Sequence, residues 1–240
     1  MRANERTTSK LPARARQAAV EAFLHEAAVT PVEPKAPEPT GRLIFALDAT
    51  ASREPTWDRA CQIQGEMFEA TAALGGLAVQ LVYYRGFGQC RATSWVTNSR
   101  DLVAHMVGVS CLAGHTQIGK VLRHAIAETK QRKVGALVFV GDAMEEDVDR
   151  LGRLAGELGL LGVKAFVFHE GGNPVAERAF RYIAKLTNGA YCRFDSASPD
   201  QLRRLLAAVA VYAAGGYAAL EDLGRRVGGD TKLLSSQLRR

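Results

Sequence analysis

A chain of 240 residues, 47% hydrophobic and 23% charged, has the composition of a globular protein and can hold a core without disulfides or structural zinc. Its four cysteines, Cys61, Cys90, Cys111 and Cys192, form no CxxC and no close Cys/His pairing, which argues against a zinc site and a disulfide framework. The formal net charge of +6 is gathered toward the end of the chain, where Arg203, Arg204, Arg225, Arg226, Lys232, Arg239 and Arg240 face only Glu221, Asp222 and Asp230; this reads as a solvated basic tail or as a surface for an acidic partner.

Residues 1–19, MRANERTTSKLPARARQAA, are charged throughout and lack the apolar stretch of a Sec-type signal, so a cytoplasmic, bacterial-style protein is expected. A helix is expected over 12–28. Pro31, Pro34, Pro37 and Pro39 then lie among Glu and Lys and spell an extended linker, because proline fixes φ and removes a donor. Residues 1–40 are therefore read as a helix and linker, 41–214 as the main domain, and 215–240 as a C-terminal helix and basic tail.

Within the main domain, 42–48 reads as a buried strand leading into a loop. A helix follows over 56–74, with Trp57, Cys61, Gln64, Phe68 and Ala72 at helical spacing and Gly75-Gly76 as its stop. Residues 77–84 form a second strand. Gly86 and Gly88 break it, and 91–96, with Trp95, returns as an edge hairpin. Helices are expected over 99–107 and 116–131, the second showing Ile118, Val121, Leu122, Ala125 and Ile126 on one face. The apolar run 134–140 has the look of a central parallel strand covered on both sides. Helix 147–160, with Glu145, Glu146 and Asp147 read as its acidic first turn, strand 163–168, helix 174–186, strand 191–194 and a helix from Ser198 to about Ala214 complete the order. Residues 205–220 carry no charge, and Gly215-Gly216 interrupts them. A terminal helix packed on the sheet, continued by a second helix, is the expectation, with a loose tail after Gly228. The alternation specifies a doubly wound α/β fold, with a mostly parallel central sheet, one antiparallel edge strand and helices on both faces. Ligands in such sheets bind beyond the carboxyl ends of the strands.

Three segments bring oxygen-bearing side chains to that edge. Asp48, Thr50 and Ser52 alternate after the first strand, separated by small Ala49 and Ala51, so their side chains can converge. Thr116 follows Gly114-His115 at a helix start, and Asp142 follows Gly141 at the end of the most apolar strand. Taken singly, each has a plain alternative as a helix cap. Together, two carboxylates and three hydroxyls form a hard-oxygen set of the kind Mg²⁺ prefers, and a ligand charge of about −2 leaves the ion able to accept one further oxygen.

This pattern resembles a von Willebrand factor type A (VWA) domain with a metal-ion-dependent adhesion site. The family's Asp-x-Ser-x-Ser reads here Asp48-Ala49-Thr50-Ala51-Ser52, its Gly-x-Thr reads Gly114-His115-Thr116, and its strand-end Asp reads Asp142. The resemblance covers about 41–214 and departs at Thr50, where the family usually has Ser. It implies Mg²⁺ (or Mn²⁺) held directly by Ser52 and Thr50, directly or through water by Thr116, and mainly through water by Asp48 and Asp142. It further implies a non-enzymatic protein-interaction module whose partner donates a carboxylate, with Arg53, Glu54, His115 and Glu145 as candidate rim residues. Two other readings remain: a Mg²⁺-dependent hydrolase or phosphoryl-transfer enzyme at the same edge, and a nucleic-acid-binding VWA protein. Against the first stands the absence of GxxxxGK[ST], GxGxxG and GxSxG motifs; against the second, the lack of a dense basic stripe with interleaved aromatics.

Overall fold

The computed structural model describes residues 39, 41–54, 57, 58, 60, 65–194 and 199–238. The expected N-terminal helix and linker, and Cys61 and Gln64 of the first domain helix, lie outside them. Six strands form one sheet: β1 (Gly41–Asp48), β2 (Leu77–Arg85), β3 (Gln89–Ala92), β4 (Ala136–Gly141), β5 (Lys164–Glu170) and β6 (Ala190–Phe194). Their order is β3-β2-β1-β4-β5-β6, parallel throughout except for the antiparallel edge pair β2/β3. This is the doubly wound sheet expected from the alternation of elements.

Period-two alternation sorts the side chains between two cores. Leu43, Phe45 and Leu47 of β1 join Val138, Val140, Phe166 and Phe168 in one. Ile44 and Ala46 join Leu137, Phe139 and Val167 in the other. The first core is covered by α1 (Gly65–Thr71), α2 (Ser99–Val107), α6 (Pro199–Val227) and α7 (Gly229–Gln237). The second is covered by α3 (Ile118–Gln131), α4 (Val148–Leu160) and α5 (Pro174–Leu186). Every β1 residue from Leu43 to Asp48 is buried, as suits a strand covered on both faces.

Three local readings are corrected. The tail after Gly228 is not loose: α7 buries Leu234 and packs on α6, and the Gln237 amide bonds both the N–H and the C=O of Tyr191 on edge strand β6. A polar-looking segment was held by contacts far away in sequence, which local composition does not register. The edge strand is also shorter and earlier than 91–96. It spans Gln89–Ala92, with Val96 making only an isolated bridge to Val79. Trp95 instead lies half-buried against the second core and donates to Glu128 Oε2 at 2.9 Å. Finally, the acidic run Glu145-Glu146-Asp147 is not the first turn of α4. Only Asp147 caps that helix, accepting from Arg150 N.

By length and apolar composition α6 would suffice to cross a bilayer. It is broken at Gly216, where φ is 72°, and Leu202, Leu205, Leu206, Val209 and Ala210 are buried in the first core. Gly41 lets this helix approach β1: a Cβ there would lie 2.7 Å from the Ala214 Cα.

Candidate functional site

The chain leaves β1 toward β2 on one side and returns as β4 on the other, so a crevice opens between the carboxyl ends of β1 and β4. Asp48 is the last residue of β1, and Asp142 directly follows β4. Asp48 is almost fully buried; its Oδ1 accepts the Thr50 N–H at 2.8 Å and its Oδ2 the Tyr84 hydroxyl at 3.0 Å. Ser52, exposed on the short 3₁₀ turn Ala51–Arg53, donates its hydroxyl to Asp142 Oδ2 at 3.2 Å. The other oxygen, Asp142 Oδ1, is buried with no hydrogen-bond partner among the described residues. The two motif segments thus meet across the crevice.

Thr116 is tied to the loop that follows Asp142, through Glu145. Its Oγ1 accepts the Glu145 N–H at 3.0 Å, while its own N–H reaches Glu145 Oε2 at 3.2 Å. His115 Nδ1 lies 3.0 Å from the same carboxylate oxygen. Glu146 takes up the free N–H groups of Ile118 and Gly119 at the start of α3. The two glutamates therefore staple the β4–α4 loop to the N-terminus of α3, where backbone donors and the helix dipole favour negative charge. Of the candidate rim residues, His115 and Glu145 are joined here at the mouth. Glu54 is exposed without a described contact, and the Arg53 side chain lies outside the described residues.

Among the described residues, the capping alternatives of Thr50, Thr116 and Asp142 are not realised. Thr50 occupies the N-cap of the 3₁₀ turn without a side-chain cap bond, Gln117 rather than Thr116 stands at the N-cap position of α3, also without one, and α4 is capped by Asp147. Among the described residues no three His, Cys, Asp or Glu side chains are grouped to hold a metal ion. A cation at this crevice would have to draw on two carboxylates and neighbouring hydroxyls, a donor set suited to Mg²⁺ or Mn²⁺. The unpartnered Asp142 Oδ1 fits that role, since a buried acceptor left unpaired is costly.

Among solved structures, a von Willebrand factor type A protein from Catenulispora acidiphila matches at a TM-score of 0.55 and 18% identity, covering 70% of this chain and 42% of that one. The SpRpn10 VWA domain matches at 0.55 and 12% identity, over 69% of this chain and 96% of the domain. The chain has the VWA fold. The ArnB paralog VWA2 from Sulfolobus acidocaldarius is similar at a TM-score of 0.51 and 12% identity, over 70% of this chain and 45% of its own. The chain thus spans less than half of the Catenulispora protein it matches. No protein-family model matches the sequence, and no curated protein does.

Within this VWA fold, three residues that escape sequence reading shape the crevice. Tyr84, at the center of a core cluster, aims its hydroxyl at Asp48, and burial pushes its pKa well above the phenol range, so it remains a donor. Glu146 caps α3 from a distance. His169, opposite Gly141 in the β4/β5 register, is fully buried with Nδ1 2.8 Å from the Tyr191 hydroxyl. Burial lowers its pKa and keeps the ring neutral beside Asp142. All three act over long sequence separations; Tyr84 reads in the sequence as a strand residue only, and His169 falls just past the expected strand 163–168.

Burial raises the Asp48 pKa, Thr50 and Tyr84 act in the opposite direction, and the Asp142 charge adds to the rise. A carboxylate whose folded pKa lies above its unfolded one contributes stability below the unfolded value and loses it as pH rises through the folded value. Metal-free Asp48→Asn, whose amide oxygen can accept from Thr50 N–H while its NH₂ donates to a Tyr84 hydroxyl turned to accept, is therefore expected to melt higher than the wild type near pH 7. The gap should close as the pH falls through the raised pKa. Melting curves in chelator across this range check the expectation; a lower-melting Asn variant at neutral pH would show that the Thr50 and Tyr84 bonds outweigh burial.

Proposed function

We propose that the chain is a divalent-metal-dependent protein-interaction module, cytoplasmic and without turnover of its own, that captures an acidic residue of a protein partner. The observation that carries this reading is the Asp142 carboxylate. It is tied to Ser52 on one oxygen and unpartnered on the other, beside a second buried carboxylate at the strand ends. The VWA fold supports an interaction role at the level of the fold. Ser52, Thr50, Thr116, Asp48 and Asp142 would hold the ion. Once bound, a divalent cation supplies an electrophilic position for one oxygen from outside. Tyr84 and the Thr50 N–H keep Asp48 oriented, and Glu145 and Glu146 keep the Thr116 segment against the β4 end. The partner's carboxylate suits this mouth because the cation, and not a basic side chain, provides the attraction.

Partner capture from the native host, with Mg²⁺ or with chelator, tests the reading. Ser52→Ala serves as the matched variant, because Ser52 is exposed and its loss leaves the core untouched. Partners retained by the wild type in Mg²⁺, and lost both in chelator and in Ser52→Ala, are the expected result. The same partners recovered in all three samples would rule out metal-dependent capture.

A further inference from the structure

The turn between β2 and β3 holds a large apolar side chain out into solvent beside the crevice. Phe87, flanked by Gly86 and Gly88, is 80% exposed, and its ring meets the His115 ring edge-on with 5.1 Å between centroids. His115 contacts Glu145, whose carboxylate also accepts the Thr116 N–H. Leu112, 42% exposed, donates its N–H to the carbonyl of Ala49, which lies between Asp48 and Thr50. Two exposed apolar side chains thus border the oxygen set through its immediate neighbours, Phe87 through His115 and Leu112 through Ala49.

The turn beneath Phe87 is braced on both sides. Gly86 N donates to the Leu112 carbonyl at 3.3 Å, and the Gln117 side-chain amide donates to the Arg85 and Gly86 carbonyls at 3.3 and 3.2 Å. Lys120 Nζ donates to the Gly88 carbonyl at 2.7 Å and to Gln117 Oε1 at 2.8 Å. Arg85 bonds Gln89 and Ser110. The basic side chains at this turn are therefore spent on its framework, and an aromatic ring stands at its tip. A phenyl ring left in water gains free energy when covered, and a braced backbone loses little freedom when that happens. Aromatic side chains presented in this way are the usual anchors of protein interfaces.

We propose that Phe87 is a second anchor beside the metal site, and that the partner segment carries a large apolar residue close in sequence to its acidic one, docking on Phe87 and Leu112. The inference rests on the metal-capture reading above. An extended segment advances about 3.3 Å per residue, so a neighbour within about three positions can reach past the mouth while the carboxylate meets the ion. Apolar contact at this point also keeps water from the ion–carboxylate bond, which strengthens as water leaves.

Phage-displayed random peptides, selected on the full chain in Mg²⁺ and eluted with chelator, test the proposal. The wild type is expected to enrich peptides in which Asp or Glu has a large apolar residue within that distance. A synthetic peptide of this kind should bind Phe87→Ser about tenfold or more weakly and Phe87→Leu nearly as well as the wild type. Melting temperature and Mg²⁺ titration should match in all three, because the ring is exposed and lies outside the oxygen set. Chelator-eluted acidic peptides without an apolar preference, or equal peptide affinity in wild type and Phe87→Ser, would overturn the inference and leave metal capture standing. Apolar peptides that stay bound in chelator would overturn it by separating this surface from the ion. Mg²⁺-dependent dimerisation in place of peptide binding would make the occupant a second copy and likewise overturn it. A wild type that yields no chelator-eluted peptide and stays monomeric would overturn metal capture and the inference together.

Discussion

Asp142→Ala is expected to abolish divalent-metal binding while leaving the metal-free protein at least as stable as the wild type. The two halves of this expectation share one cause. Asp142 Oδ1 is buried without a hydrogen-bond partner among the described residues, and an unsatisfied buried acceptor costs about 1–3 kcal/mol. Among the described residues the remaining oxygen accepts from Ser52 alone, whose hydroxyl is exposed and can turn to water. The carboxylate caps no helix, since Asp147 fills that role for α4. Its charge also raises the Asp48 pKa, so its removal relieves a repulsion between two neighbouring carboxylates. What it offers in return is one of the two carboxylates that stand at the ends of β1 and β4. Titration of metal-stripped protein with Mg²⁺ and Mn²⁺, beside melting curves in chelator, reads both effects. A variant that melts lower yet still binds the ions would make Asp142 a structural bracket for Ser52 and refute its role as a ligand.

A second large effect is expected from Gly114→Ala. A Cβ at this position would stand 2.1 Å from the Gly86 carbonyl oxygen, 2.2 Å from its carbon and 2.4 Å from the Gly86 Cα. All three are backbone atoms, so no rotamer change can relieve the clash. The loop before Thr116 is also tied in place, because Leu112 donates to the Ala49 carbonyl at 3.0 Å and accepts from Gly86 N at 3.3 Å. Either these bonds lengthen or the β2–β3 turn moves. Forcing a methyl group into such packing costs about 1–3 kcal/mol. For a chain of this length that corresponds to a fall in melting temperature of roughly 2–4 °C per kcal/mol. Because the displaced loop carries Thr116 two residues later, affinity for Mg²⁺ should fall with stability. An unchanged melting temperature would mean that the loop can shift freely, and that the glycine of the Gly-x-Thr segment is not needed for close approach.

The architecture was legible because its signals are local and periodic. The run Leu43–Leu47 supplies both cores by simple alternation, and the apolar stretch ending at Gly141 announces a strand covered on two sides. Gly75, at φ 92°, ends the first domain helix where the doubled glycine implied a stop. Asp48 and Asp142 could be assigned to one edge because a parallel sheet places the carboxyl ends of its strands together. The errors fell where a segment's state depends on a distant partner. Glu145 and Glu146 have the composition of a helix's first turn, yet their carboxylates bond Thr116 and the first N–H groups of α3, 27 to 29 residues earlier in the chain. The C-terminal segment has the polarity of a loose tail, yet Gln237 pairs with a strand residue 46 positions away.

The sequence by itself determined the element order, the two-faced burial of the sheet and the placing of hard-oxygen side chains after β1 and β4, since these follow from hydrophobic period and from residue type. Only the tertiary structure decided which capping alternatives fail among the described residues, that Ser52 meets Asp142 while the other Asp142 oxygen finds no partner there, and that distant Tyr84 joins Thr50 in steadying Asp48. It alone tied the turn that bears Phe87 to Leu112, Gln117 and Lys120, far along the chain. The physical reason is the same in each case: hydrogen bonds and charge pairing depend on distances of a few ångströms, and only the folded chain sets those between residues far apart in sequence.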